Sequence, residues 1–197
     1  MREESVRGAS FAPQEPARDP QGGLGARELL EWLLVFTAVL LTAAFVRAYI
    51  AEPVRVDGRS MLETLHDGEY VIVEKYPYLF DDPVRFDIVA CFYPGDGQTL
   101  NVKRVLGLPG ETIELRDGVL YVDGEYVAQD MLQHLSLDNL GPVTLAPGYY
   151  FVLGDNRPNS LDSRHVGPIA RDAILGRVRQ VFFPLSAIRS VEYTPGL

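Results

Sequence analysis

Residues 29–50 read LLEWLLVFTAVLLTAAFVRAYI, and no other stretch limits the architecture of this chain as much. Its 22 residues make a helix of about 33 Å at 1.5 Å each, against a hydrocarbon thickness of roughly 30 Å. The run is apolar on every face, so burying it in a globular core would take far more protein than the rest of the chain supplies. Its two charges, Glu31 and Arg47, stand near the ends, and Trp32 and Tyr49 stand where aromatic belts form. A cleaved secretory signal fits less well: 28 residues precede the run, and the nearest small-residue pair, Thr42 and Ala44, lies inside it. The expectation is a retained single-span anchor over 29–50. Arg18 and Arg27 on one side balance Arg55 and Arg59 on the other, so charge does not orient it.

On either side of the anchor the texture differs. Residues 1–28 are polar and rich in Pro and Gly, with no apolar periodicity, which predicts a flexible tail. Residues 52–197 carry short runs rich in Val, Ile and Tyr at 70–73, 87–93, 102–106, 112–115, 119–122 and 149–153. Asp117-Gly118 and Asp123-Gly124 bracket the run 119–122, a hairpin signal at both of its ends. No long amphipathic helix is predicted, only a short turn near 170–174. The fold class is therefore mainly β: a single N-terminal transmembrane helix followed by one β-rich domain.

Composition removes several function classes. With 27 acidic against 18 basic side chains and a net charge of −9, a nucleic-acid-binding surface is not expected. The single cysteine, Cys91, rules out an internal disulfide or a thiolate cluster and reads as a buried small hydrophobe. His66, His134 and His165 lack metal-ligand spacing, so no metal or cofactor is expected. Of the 18 basic residues 16 are Arg, and the two lysines are Lys75 and Lys103. Lysine can release its proton at accessible pH where arginine cannot.

Three clusters carry side chains suited to chemistry. In the first, Val54 to Leu65, Ser60 follows a strand at a turn containing Gly58, where a hydroxyl can be presented beside free amides. It is not a hydrolase elbow, because position 62 is Leu where that motif needs a second glycine. In the second, Asn101 to Glu111, strand alternation puts Lys103 on one face with Val105 and Arg104 on the other with Val102 and Leu106. Apolar neighbours strip water from an ammonium and disfavour it, the route by which lysine becomes a general base for serine. The third, Gly154 to Gly167, is a loop dense in hydrogen-bonding groups, in which Asp162 and Arg164 can pair and Ser160 can bond an amine. Each cluster alone also reads as ordinary structure: a loop serine, an exposed strand lysine, a solvated loop.

Taken in this order behind a transmembrane helix, the clusters resemble the bacterial type I signal peptidases, membrane-bound Ser–Lys endopeptidases of the family that includes the LexA-like self-cleaving proteins. The likeness spans roughly 29–185 and rests on Ser60-Met61-x-x-Thr64-Leu65, the 67–75 stretch, Lys103-Arg104-Val105-x-Gly107-Leu108-Pro109-Gly110-Glu111, and Gly154-Asp155-Asn156-Arg157-x-x-Ser160-x-Asp162-Ser163-Arg164. The resemblance implies Ser60 as nucleophile, Lys103 as general base and Ser160 as the partner orienting the lysine. It further implies Asp162 and Arg164 as the pair holding the loop, and Met61 as a substrate- or membrane-facing residue. Its implied partners are precursors bearing N-terminal signal peptides and the lipid bilayer, with the catalytic domain on the extracytoplasmic side. One departure is Glu63 where the family usually has proline, which leaves the turn freer and adds a negative charge. A Ser60–His165 triad with Asp155 or Asp162 is the rival chemistry, but Lys-Arg-Val stands where that histidine would be. A membrane-anchored β-domain that binds secreted chains without cutting them is the other alternative.

Overall fold

The computed structural model describes residues 25–62, 64–129, 132 and 136–191, with the backbone alone at 97 and 98. Most of the predicted tail, together with Glu63 and His134, lies outside the described residues. The chain divides between Leu41 and Thr42 into two compact units.

The first element is helix α1, Ala26–Phe45, continued by a wider π turn at Val46–Ile50. It starts three residues before the apolar run, because Glu28 accepts from the Gly25 amide at 3.1 Å and Arg27 pairs with Glu31 at 3.0 Å. Thr37 donates its hydroxyl to the Leu33 carbonyl at 2.8 Å, so the polar group in mid-helix is satisfied within the helix. The 25 residues from Ala26 to Ile50 are long and apolar enough to cross a membrane, and none is buried in the protein. This single apolar helix fits a single-pass membrane protein.

The second unit is mostly β, as the sequence predicts. Its strands are β1 (Ala51–Arg55), β2 (Tyr70–Glu74), β3 (Ile88–Tyr93), β4 (Asp96–Gly107), β5 (Thr112–Arg116) and β6 (Val119–Val122). Next come β7 (Glu125–Tyr126), β8 (Leu140–Thr144), β9 (Tyr149–Leu153), β10 (Ile169–Ala170), β11 (Ile174–Phe183) and β12 (Arg189–Ser190). One sheet runs β1-β2-β11-β3-β4-β9-β10 with β12 paired to β11; the other runs β7-β6-β5-β8. Both Asp-Gly turns have positive φ at each central residue, 50° and 80° at Asp117 and Gly118, 52° and 84° at Asp123 and Gly124. That geometry matches the strand twist on either side of β6.

The large sheet packs apolar side chains on both faces. Val71, Val73, Ile88, Ala90 and Val178 belong to one core; Val89, Cys91, Val105 and Val152 belong to another. Strand alternation along β3 sends successive residues to the two cores in turn, which explains its continuous apolar run. A third core, built on Ile113, Leu115, Leu120 and Phe151, joins the small sheet to β4 and β9. Gly107 permits that junction: a Cβ there would stand 2.7 Å from the Ile113 side chain.

Two departures from the sequence expectations bear on the site. Strand β11, ten residues long and central in the sheet, is absent from the predicted strands, because Gly176, Arg177, Arg179 and Gln180 interrupt its apolar residues. Strands β1 and β8 contain Pro53 and Pro142; each is an edge strand, where a missing amide donor is tolerated.

Candidate active site

Strand β4 pairs with β3 and β9, and Lys103 lies opposite Val89 in the interior of the sheet. The lysine is only 3% exposed. Its Nζ contacts the Ser60 Oγ at 2.8 Å and donates to the Val102 carbonyl at 2.9 Å. Burial pushes its amine below the ordinary 10.5, an effect partly opposed by the Asp162 and Asp155 carboxylates. Burial likewise pushes the Cys91 thiol up to about 12, which keeps it neutral near the lysine.

Ser60 comes from a turn after β1, and the 154–156 segment holds that turn from the other side. The Asn156 amide donates to the Ser60 carbonyl at 3.0 Å, and the Asn156 Nδ2 donates to the Arg59 carbonyl at 2.9 Å. Gly154 sits so close that a Cβ on it would come within 2.5 Å of the Ser60 carbonyl oxygen. Across the turn, the Gly58 amide donates to Asp67 Oδ1 at 2.9 Å, with Gly58 at φ 95°. That left-handed conformation favours glycine.

Behind these contacts lies a buried ion pair. Arg104 donates through Nε and Nη2 to the two Asp155 oxygens at 2.9 and 2.6 Å, with both side chains 2% exposed. The Thr64 hydroxyl donates to the same carboxylate at 2.5 Å, and Arg104 Nη1 donates to the Phe86 carbonyl at 3.0 Å. Arg104 follows Lys103 in β4, and Asp155 precedes Asn156, so this pair ties the lysine's strand to the segment gripping the serine's turn. A second clamp holds the far end of that turn. Arg189 of β12 donates to both Glu69 carboxylate oxygens, at 2.6 and 2.8 Å, and to the Thr64 carbonyl at 2.8 Å.

Asp162 is fully buried at the start of helix α2, Ser163–Val166. Arg164 grips it with Nε and Nη2, both at 2.8 Å, and the Gly154 amide donates to it at 3.1 Å. Burial by itself would raise this carboxyl; the Arg164 and Gly154 donors outweigh it and hold the group below its usual value. Arg164 also donates to the Arg157 carbonyl at 2.7 Å and contacts Asp138, so the loop is a braced structure and not a solvated one.

The sequence-predicted residues therefore converge, with one difference from the expectation. Ser160 is placed in the loop, but its buried Oγ makes no well-formed hydrogen bond to Lys103 or to any other described residue; the group it influences is Asp162, whose carboxyl it helps to hold down. The hydroxyl lies against Gly154, where a Cβ would meet it at 2.2 Å. Met61, expected to face substrate or membrane, is 2% exposed and packs with Val56, Leu65 and Val71. It lines a cleft of about 70 Å³ together with Val54, Arg55, Val56, Asp57, Leu100, Asn101 and Val102, beside Ser60 and Lys103. His165 is half exposed and approaches Asp162 at 4.0 Å. The roles of Asn156, Thr64, Arg104 and Arg189 are not legible in the sequence. A strand arginine alternating with apolar residues signals a buried charge, but its partner lies 51 residues away.

Residues 29–183 match the family model described as signal peptidase, peptidase S26. The chain is 40% identical over 177 residues to "Signal peptidase I T" of Bacillus subtilis, covering 83% of this chain and 90% of that protein. It is 36% identical over 176 residues to "Signal peptidase I" of Bacillus licheniformis, covering 83% and 94%. Another "Signal peptidase I", from Bacillus amyloliquefaciens, is 35% identical over 191 residues, covering 91% and 98%.

Proposed function

This chain belongs to the signal peptidases of the peptidase S26 family, hydrolases that process signal peptides, and we propose that it works through Ser60 as nucleophile and Lys103 as general base. The observation that carries the assignment is the 2.8 Å contact between Lys103 Nζ and Ser60 Oγ, made by a lysine almost sealed from water. A buried amine that has lost its proton accepts the hydroxyl proton across that distance.

The reaction is acyl transfer in two halves. Ser60 Oγ attacks the carbonyl carbon of the scissile bond while its proton passes to Lys103 Nζ. Backbone amides of the Ser60 turn stabilise the oxyanion, a contribution worth about 3–4 kcal/mol per donor where it has been measured. The C–N bond then breaks, Nζ gives its proton to the leaving amine, and an ester to Ser60 remains. A water loses a proton to the neutral Nζ and attacks that ester; the Ser60–carbonyl bond breaks, and the proton returns to Oγ.

The cleft supports a small residue before the cut. Its volume is only about 70 Å³, and Val54, Val56, Leu100 and Val102 share its lining with the polar Arg55, Asp57 and Asn101. Met61 forms part of that lining. The Val102 carbonyl, 2.9 Å from Nζ, orients the lysine in this reading, and Asp162 with Arg164 keeps the loop against the Ser60 turn. The anchor holds the domain beside a precursor that shares the bilayer, which raises their effective concentration. We assign residues 29–50 to the membrane and 52–197 to the extracytoplasmic side.

The test is cleavage of a precursor with Ala at −3 and −1 in vesicles carrying the full chain. Ser60→Ala and Lys103→Arg should each abolish it, whereas Lys75→Arg should stay near the native rate. Normal cleavage by Lys103→Arg would remove the dyad, since arginine keeps the charge and cannot act as base.

A further inference from the structure

Tyr93 ends strand β3, and its side chain shares a core with Val89, Cys91 and Val152. It is buried, and its hydroxyl donates to the carbonyl of Leu161, in the loop that carries Ser160 and Asp162. A buried phenol needs a partner, and here the partner is a backbone group of that loop. Burial, helped by Cys91 and Asp162, pushes the phenol well above its ordinary 10.0, so it stays protonated and remains a donor wherever the protein works.

Little else holds that part of the loop. Residues 151–157 before it are buried, as are Asp162 and Ser163 after it, but Pro158, Asn159 and Leu161 are exposed and supply no core packing. The other restraints among the described residues are the Asn159 amide on the Asn156 carbonyl at 3.0 Å and a long 3.4 Å contact from Arg164 Nη2 to the Ser160 carbonyl. A stretch anchored at both ends and loose in the middle opens locally unless something ties the middle. Tyr93 ties it from beneath, with a ring that close packing keeps in place.

The tied carbonyl lies between two groups that bear on the site. The Ser160 side chain stands against Gly154, which in turn stands against the Ser60 carbonyl. Asp162 is one of the charged or titratable groups facing the Lys103 amine; the others are Cys91 of β3, on the same strand face as Tyr93, and Asp155, with the Ser60 hydroxyl in direct contact. Arg104, Arg157 and Arg164 stand behind the two carboxylates. We propose that Tyr93 is a positioning residue for the cleavage reaction: through the Leu161 carbonyl it draws residues 160–162 down over Lys103 and keeps water from its nitrogen. This rests on the Ser60–Lys103 reading. The lysine stays dry only while the loop stays closed, and a wetter amine holds its proton to higher pH.

Tyr93→Phe removes one oxygen and leaves the ring. For the full chain in vesicles, kcat and KM are measured from about pH 6 to about pH 10 on the precursor with Ala at −3 and −1. The expected result is an acidic limb of the kcat profile displaced upward by about one pH unit, so that kcat falls roughly tenfold along the limb and recovers at high pH, with KM within about twofold. Tyr78→Phe is the control: it removes a likewise buried hydroxyl in the same core, bonded to Asp87 at 2.7 Å, and should leave the limb in place. Tyr93→p-aminophenylalanine restores an N–H donor and should return the limb to its native position. A native limb in Tyr93→Phe, even with kcat lowered evenly at every pH, overturns the proposal, and so does an equal displacement in Tyr78→Phe. If Tyr93→Phe does not fold by circular dichroism, the amino variant decides, because a displaced limb despite the donor overturns the proposal as well. Lys103→Arg separates the two readings: cleavage by that variant removes the dyad, whereas an inactive Lys103→Arg beside a native limb in Tyr93→Phe removes only the role of Tyr93.

Discussion

Asp155→Asn probes the buried pair that joins the two halves of the site. The substitution keeps the shape of the side chain and removes its charge, leaving the Arg104 guanidinium to face a neutral amide in a place where both residues are 2% exposed. Three donors converge on that carboxylate: Arg104 Nε, Arg104 Nη2 and the Thr64 hydroxyl. An amide offers one acceptor oxygen, so at least one of these donors meets an NH2 group instead. Breaking one side of a buried pair costs about 3–5 kcal/mol, because the remaining charge has lost its compensation. For a chain of this size each kcal/mol moves Tm by about 2–4 °C, so the expected fall is about 6–20 °C. Thermal unfolding of the detergent-solubilised full chain, followed by circular dichroism, reads it. The companion is the double variant Arg104→Met/Asp155→Leu, which removes both charges and should be less destabilised than Asp155→Asn alone. A fall under about 3 °C for the single variant, or a double variant that loses more than the single, refutes the reasoning.

Two further outcomes rest on the same geometry. Gly154→Ala sets a methyl 2.5 Å from the Ser60 carbonyl and 2.2 Å from the Ser160 hydroxyl; precursor cleavage should fall at least ~10-fold, with a stability loss of about 1–3 kcal/mol from overpacking, and native-like turnover would show that the Ser60 turn is not held there. Lys103 has its amine pushed by burial below 10.5. Between its folded and unfolded values the unfolded chain binds more protons, so this lysine makes stability rise with pH up to about 10.5. Urea titrations at several pH values should show that rise in the native chain and a flatter dependence in Lys103→Met. The native cleavage rate should climb with pH as the amine deprotonates; parallel stability curves or a rate falling over that range would contradict the assignment.

How far each feature is legible depends on how local its cause is. The hairpin 112–122 is readable because Asp117-Gly118 supplies the turn and its neighbours supply the alternation. Strand β11 is not, because its fit between β2 and β3 rests on Gly176 lying flat against the Glu74 carbonyl, which a Cβ would approach to 2.5 Å. The motif marks Met61 as substrate- or membrane-facing, but its packing with Val56, Leu65 and Val71 is set only once the turn closes under Arg189 and Asn156.

The sequence by itself determined the apolar span, the β character of the domain after it, the tight Asp-Gly turns and the family to which the motifs belong. All of these depend on residue types within a window of one helix or one hairpin. Only the tertiary structure decided that Lys103 is dry, that its nitrogen meets a hydroxyl 43 residues earlier, and that Asp155 among the loop's acids answers Arg104. Burial and charge pairing are properties of the space between distant segments, and desolvation acts on a lysine only after the sheet has closed around it.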